Sequence, residues 1–84
     1  MRITLRLHAK LSDCLPAPAR AKGALDLDVD DGTTVASLIT RFEVPRNLCH
    51  LVLIDGVFVP PTARSDRVLA EGETLAIWPP VAGG

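Results

Sequence analysis

The 84-residue chain lacks several features that would assign it to a class at once. No apolar run approaches the ~20 residues that cross a membrane, and Met1-Arg2-Ile3-Thr4 begins a strand pattern directly rather than a signal peptide. The net charge of −1 provides no basic surface for nucleic acid or for anionic lipid. We therefore expect a cytoplasmic protein that binds neither nucleic acid nor a membrane.

Residues that could form an active site are also scarce. Cys14 and Cys49 have neither C-x-x-C spacing nor paired histidines, which predicts reduced packing residues and no metal site. His50 follows Cys49 and could act as a base for a reactive thiol, but neighbours on a strand point to opposite faces, so the two side chains would not meet. The chain has no G-x-x-x-x-G-K-[ST] phosphate loop, and neither His8 nor His50 has the partners of a catalytic triad. We expect no active site of the chain's own.

What the chain does contain is the pattern of one small folded domain with five strands. It is 48% hydrophobic and 23% charged, as globular proteins are. Asp55-Gly56 separates two apolar runs and predicts a two-residue hairpin turn. Asp26, Asp28 and Asp30 alternate with apolar residues, which predicts a solvated strand face rather than a cation site. The predicted strands cover residues 2–8, 25–30, 51–54, 57–59 and 74–78.

One amphipathic helix of about three turns is predicted between the second and third strands. Thr33 or Thr34 would cap its start, and Pro45 marks its end. Its apolar residues fall at i, i+3, i+4 and i+7, namely Val35, Leu38, Ile39 and Phe42.

The connecting segments give weaker signals. Residues 9–15 predict a short helical turn, and the prolines that follow predict an irregular loop up to residue 22. Residues 63–69 predict a charged crossing segment anchored by Val68 and Leu69.

The order strand, strand, helix, strand, strand, strand predicts an α+β fold, a mixed five-stranded sheet packed on one main helix. One helix cannot cover both faces of the sheet, so we expect a partner to dock on the face left open. Phe58 is interpreted as part of the hairpin core. Trp78 has two interpretations, a sheet residue that covers the edge of the core or a contact with a partner.

The most informative segment is the end of the sequence, residues 79–84. Pro79 and Pro80 cannot continue the last strand, so the chain is predicted to divide into a domain, 1–78, and an extended tail, 79–84. Six extended residues reach about 20 Å, and glycines at the tip can thread a narrow channel. A carboxylate at Gly84 is a poor electrophile until a partner enzyme activates it, for example by adenylation with ATP.

Residues 72–84 resemble the end of the MoaD and ThiS sulfur carriers, and so do the helix start at residues 32–35 and the hairpin at residues 54–57. The double proline resembles that of MoaD proteins. The chain differs from them at Ala82, where MoaD proteins have a small hydroxyl residue. ThiS proteins more often end in Ala-Gly-Gly without the double proline. The resemblance spans the whole length, and its specific part is the C-terminal block.

This resemblance implies a ubiquitin-like β-grasp fold and a role for each tail residue. Gly84 would be adenylated by an E1-like adenylyltransferase of the MoeB or ThiF type, which uses ATP, and then thiocarboxylated. Gly83 would let the tail enter its partners, and Trp78 would lie where the tail departs. The extended arm would consist of Pro79, Pro80, Val81 and Ala82.

The destination of the sulfur is open at this point. A large molybdopterin synthase subunit is the acceptor that a MoaD-like tail implies. A ThiS-like carrier would instead supply thiazole synthesis, tRNA thiolation or siderophore synthesis. Two further alternatives are a ubiquitin-like modifier joined to lysines and an interaction module that never uses its terminus.

Overall fold

A computed structural model describes residues 1–80 of the chain and contains one five-stranded sheet. The strands and α-helices are β1 (Arg2–Leu7), α1 (Ala17–Arg20), β2 (Ala24–Asp28), α2 (Val35–Arg41), β3 (Leu51–Ile54), β4 (Val57–Phe58) and β5 (Thr74–Trp78). Short 3-10 helices lie at Ala9–Cys14, Arg46–Leu48 and Pro61–Ala63. The sheet order is β2-β1-β5-β3-β4. The β1 and β5 strands run parallel and the other neighbours antiparallel, so the predicted mixed sheet is confirmed.

The core lies between one face of this sheet and α2. Alternate residues of each strand point to the same face, and on the three central strands those residues are almost fully buried. The buried residues of these three strands are Ile3, Leu5, Leu7, Val52, Ile54, Leu75 and Ile77. Helix α2 contributes Val35, Leu38 and Ile39 to the same core. We call this side of the sheet the covered face and the other side the open face.

Helix α2 begins at a capping box. The N–H of Ser37 donates to Oγ1 of Thr34 at 3.1 Å, and the N–H of Thr34 donates to Oγ of Ser37 at 2.9 Å. Each bond satisfies an amide that has no partner within the helix. Of the two predicted caps, Thr34 is therefore the one used.

Helix α2 ends earlier than predicted. It has seven residues, about two turns rather than three, and Phe42 is its C-terminal cap. Glu43 turns into the left-handed region at φ 54°, so that its N–H donates to Thr40 and the N–H of Val44 donates to Ile39. These two bonds form a Schellman motif, which usually has glycine at the position of Glu43. Helix α2 therefore ends at this motif, before the end that was predicted from Pro45.

The predicted hairpin turn is confirmed. Asp55 and Gly56 both have positive φ, 48° and 85°, as a turn that matches the twist of the two strands requires. Asp55 also joins the turn to β5, because its Oδ1 accepts the N–H of Thr74 at 2.9 Å and its own N–H donates to the Thr74 carbonyl. The turn and the first residue of β5 are thus held together.

Two connecting segments differ from their predictions. Part of the proline-rich segment forms helix α1, with Pro16 as its N-cap and Pro18 in its first turn, where a proline's missing amide costs no hydrogen bond. In the crossing segment Leu69 is buried, as predicted, but Val68 is exposed. Val68 instead pairs with Thr34 in an isolated β-bridge.

Candidate functional site

The candidate site is the end of β5, where the predicted tail begins. Trp78 is the last residue of the strand, and both neighbouring strands hold the backbone up to that point. The N–H of His8 donates to the Ile77 carbonyl and the N–H of His50 donates to the Trp78 carbonyl, each at 3.0 Å. The position and direction in which the chain leaves the sheet are therefore fixed by β1 on one side and β3 on the other.

The two prolines after Trp78 differ in their surroundings. Pro79 is buried and Pro80 is exposed. The division of the chain into 1–78 and 79–84 stays a prediction. The predicted site residues Val81, Ala82, Gly83 and Gly84 lie outside the described residues.

Trp78 stacks on His8 at the root of the predicted tail. The two rings are parallel within 5°, and their centroids are 3.6 Å apart. Burial, and to a smaller extent the charge of Arg6, lowers the pKa of His8. The imidazole is therefore neutral at neutral pH, and each ring covers one face of the other.

His8 is a site residue that sequence reasoning missed. Its proximity to Trp78 depends on the pairing of two strands that are far apart in sequence, so local pattern does not indicate it. The parallel register places Leu7 beside Ile77, so the residues that follow them also become neighbours. The alternation in β1 was the available signal, since it places His8 on the same face as Arg6.

Trp78 belongs to an apolar patch on the open face, which we call the open-face patch. Its most exposed members are Phe58, Trp78 and Leu51, which are 50%, 42% and 37% exposed. The register explains why they meet, since Leu51 pairs with Trp78, and Leu53 pairs with both Ala76 and Phe58. The open-face patch consists of Leu51, Leu53, Phe58, Ala76 and Trp78.

The position of Phe58 corrects the interpretation of this residue as hairpin core. Because Phe58 lies opposite Leu53, it takes the open face, and the following residue, Val59, is the one that is buried. Trp78 is a sheet residue with 42% of its surface exposed, and its contact with a partner stays a prediction. Apolar side chains exposed side by side are typical of a protein interaction surface.

The other half of the open face is polar. Thr4 donates to Asp26 at 2.6 Å, and Arg2 lies 3.3 Å from the carboxylate of Asp28. The predicted solvated face of the second strand is therefore confirmed. The open-face patch thus has a charged border along β1 and β2, and it is confined to β3, β4 and β5.

The cysteines lie away from this surface. Cys49 is buried and Cys14 is partly buried, and burial raises the pKa of the Cys49 thiol despite the nearby charge of Arg64. Residues 1–80 contain no group of three metal-ligating side chains close enough to hold an ion. Within the same residues, no helix is long and apolar enough to cross a membrane.

The fold defines the class of the protein. A mixed sheet with parallel β1 and β5 at its centre and one main helix across it is the ubiquitin-like β-grasp fold, as predicted. The chain resembles the crystal structure of SAMP1 from Haloferax volcanii, with a TM-score of 0.67, 24% identity and 100% of both chains covered. It also resembles the solution structure of the Haloferax volcanii HVO 2177 protein, with a TM-score of 0.74, 24% identity, and coverage of 100% of this chain and 87% of that one.

The sequence then gives the family. Residues 15–84 match the model of the ThiS family, so the chain belongs to that family. This match confirms the resemblance to the MoaD and ThiS type of protein. No curated protein matches the chain in sequence.

Proposed function

We propose that the chain is a sulfur carrier of the MoaD type, the small subunit of a molybdopterin synthase. The observation that carries the proposal is the open-face patch at the end of β5, followed in the sequence by Pro-Pro-Val-Ala-Gly-Gly. The match to the ThiS family includes this C-terminal segment. In this proposal a partner recognises the open-face patch, and the segment that follows β5 in the sequence carries the reactive carboxylate.

The reaction that we propose takes place at the carboxylate of Gly84 and needs an activating enzyme. An E1-like adenylyltransferase of the MoeB or ThiF type would join this carboxylate to the AMP part of ATP and release pyrophosphate. Hydrosulfide, or a sulfur donor that acts in its place, then attacks the acyl carbon, and AMP leaves with the electron pair of the broken C–O bond. The product is a thiocarboxylate, and the ATP is bound by the partner.

The open-face patch is the surface that we propose the activating enzyme recognises. Trp78, at one edge of the patch, is six residues from Gly84, a distance of about 20 Å when the chain is extended. A partner that covers Phe58 and Trp78 therefore has the reactive carboxylate within reach of a catalytic pocket on its own surface. Aromatic side chains of this kind often supply a large share of the binding energy of an interface.

A ThiS-like carrier is the second candidate, and the family match favours it. The two candidates share the thiocarboxylate and differ in the acceptor of the sulfur. The thiocarboxylated chain, incubated with a large molybdopterin synthase subunit and its pterin substrate, should lose its sulfur to the substrate. Transfer only to a thiazole synthase, a tRNA-thiolating enzyme or a siderophore enzyme would replace the MoaD role by the ThiS-like one.

The sulfur carrier reaction is tested by the intact mass of the chain. After incubation with the activating enzyme, ATP and sulfide, we expect one oxygen atom to be replaced by one sulfur atom. The reaction without ATP is the control. An unchanged mass would contradict the proposal. Lysine adducts that carry residues 68–84 after trypsin digestion would instead identify a protein modifier, because the last tryptic site of this chain follows Arg67.

A further inference from the structure

A second surface of the molecule has features of a ligand site. A cavity of about 370 Å³ lies beside α2, between the 3-10 helices Arg46–Leu48 and Pro61–Ala63. Ala36, Ile39 and Pro61 form its apolar part, and Arg46, Arg64 and Ser65 are among its polar lining residues. A volume of this size, with apolar walls and a few polar groups, is typical of a pocket for a small molecule.

Arg64 is held in place by backbone carbonyls. Its Nε donates to the carbonyl of Val59 at 3.3 Å, and its Nη1 donates to the carbonyl of Cys49 at 3.0 Å. Nη2 is buried and has no hydrogen-bond partner among residues 1–80. A buried donor without a partner destabilises the fold, and an acceptor placed beside it would remove that cost.

The positive charge of the cavity is not neutralised by the described part of the chain. The two ion pairs within residues 1–80 join Arg2 to Asp28 and Arg67 to Glu73, and neither includes Arg46 or Arg64. Cys49, which also lines the cavity, is a neutral thiol because burial raises its pKa. Two arginines therefore line one cavity, and neither forms an ion pair within residues 1–80.

We propose that this cavity binds the phosphoryl group of a small anionic ligand. Arg46 begins the 3-10 helix Arg46–Leu48, whereas Arg64 and Ser65 follow the 3-10 helix Pro61–Ala63, so the three donor side chains come from two separate segments of the chain. Three such donors suit the three free oxygens of a phosphoryl group. Arg64 already uses Nε and Nη1 for backbone carbonyls, so it cannot hold a carboxylate with the paired donors of a free guanidinium.

The test is a titration with inorganic phosphate and with pyrophosphate, at constant ionic strength, followed by the amide resonances of the full chain. We expect saturable shifts at Ala36, Cys49 and Ser65. Arg46→Gln should weaken phosphate binding about fivefold or more, the loss of a charge-assisted hydrogen bond at a partly solvated site. Arg41→Gln is the matched control, since Arg41 is an exposed arginine of α2 outside the cavity, and it should leave the affinity unchanged.

Arg46 is the better residue to change, because Arg64 also ties two backbone segments together and its loss would destabilise the fold. Three results would overturn the proposal. They are the absence of saturable shifts at the cavity, equal affinities for the original chain and Arg46→Gln, and acetate binding as tight as phosphate binding.

Discussion

The covered and open faces of the sheet are built from the same strands and differ in what they leave accessible. On β5, Leu75 is completely buried against the core, whereas Trp78, three residues later, is 42% exposed. The covered face has α2 and its capping box over it, while the open face ends in an apolar patch at the root of the predicted tail. The difference indicates that stability and recognition can be altered separately in this chain.

The largest effect is expected on the covered face. Leu75→Ala should lower the free energy of unfolding by about 2–5 kcal/mol, because it removes a fully buried side chain and leaves a cavity. Denaturation by urea, followed by circular dichroism, measures this change. A loss below about 1 kcal/mol would show that the covered face is not the main source of stability.

A substitution on the open face should weaken binding to a partner and leave stability almost unchanged. Phe58→Ala is expected to weaken binding to the activating enzyme about tenfold or more, while the free energy of unfolding changes by less than about 1 kcal/mol. Calorimetric titration of the enzyme with each variant measures the affinity. Val57→Ala is the control, since Val57 is exposed next to Phe58 but points away from the open-face patch. Equal affinities for the two variants would contradict recognition through this patch.

A smaller effect is expected at the start of α2. Thr34→Ala removes one of the two bonds of the capping box and should cost about 1 kcal/mol of stability. Thr40→Ala, at an exposed position within the same helix, should change stability by only a few tenths of a kcal/mol. The affinity for the activating enzyme should stay the same in both variants, because α2 lies on the covered side. Reduced affinity of Thr34→Ala would show that the two faces are coupled.

The smallest effect concerns pH. Burial lowers the pKa of His8 in the folded protein below its unfolded value of about 6.5. The unfolded chain therefore takes up the proton first, and the contribution of His8 to stability is present above pH 6.5 and is lost as the pH falls through the folded pKa. His8→Phe keeps a ring against Trp78 and should remove this part of the pH dependence. Parallel stability curves for the two chains between pH 8 and pH 5 would contradict this assignment.

Much of the fold could be predicted from local pattern. The alternation in Arg2–Leu7 and the Asp55-Gly56 turn depend on residues close in sequence, and both were predicted correctly. The end of α2 was missed because Glu43 adopts a conformation that usually indicates glycine. Helix α1 was missed because prolines normally argue against a helix, although they are accepted in its first turn.

The candidate site was predicted less completely, for a physical reason. Alternation shows that Phe58 and Val59 take opposite faces, but it does not show which of those faces α2 covers. That choice depends on the pairing of β3 with β4 and β5, which brings together segments separated in sequence. The stack of His8 on Trp78 depends in the same way on the pairing of the first strand with the last.

The role of Gly84 can be measured through the exchange of labelled pyrophosphate into ATP by the activating enzyme, which reports formation of the acyl adenylate. With the original chain we expect exchange that depends on the chain's concentration. A chain lacking Gly84 should support no exchange, although its circular dichroism spectrum and its stability match those of the original. Exchange that is unaffected by the deletion, or that never occurs with the original chain, would contradict adenylation at this carboxylate.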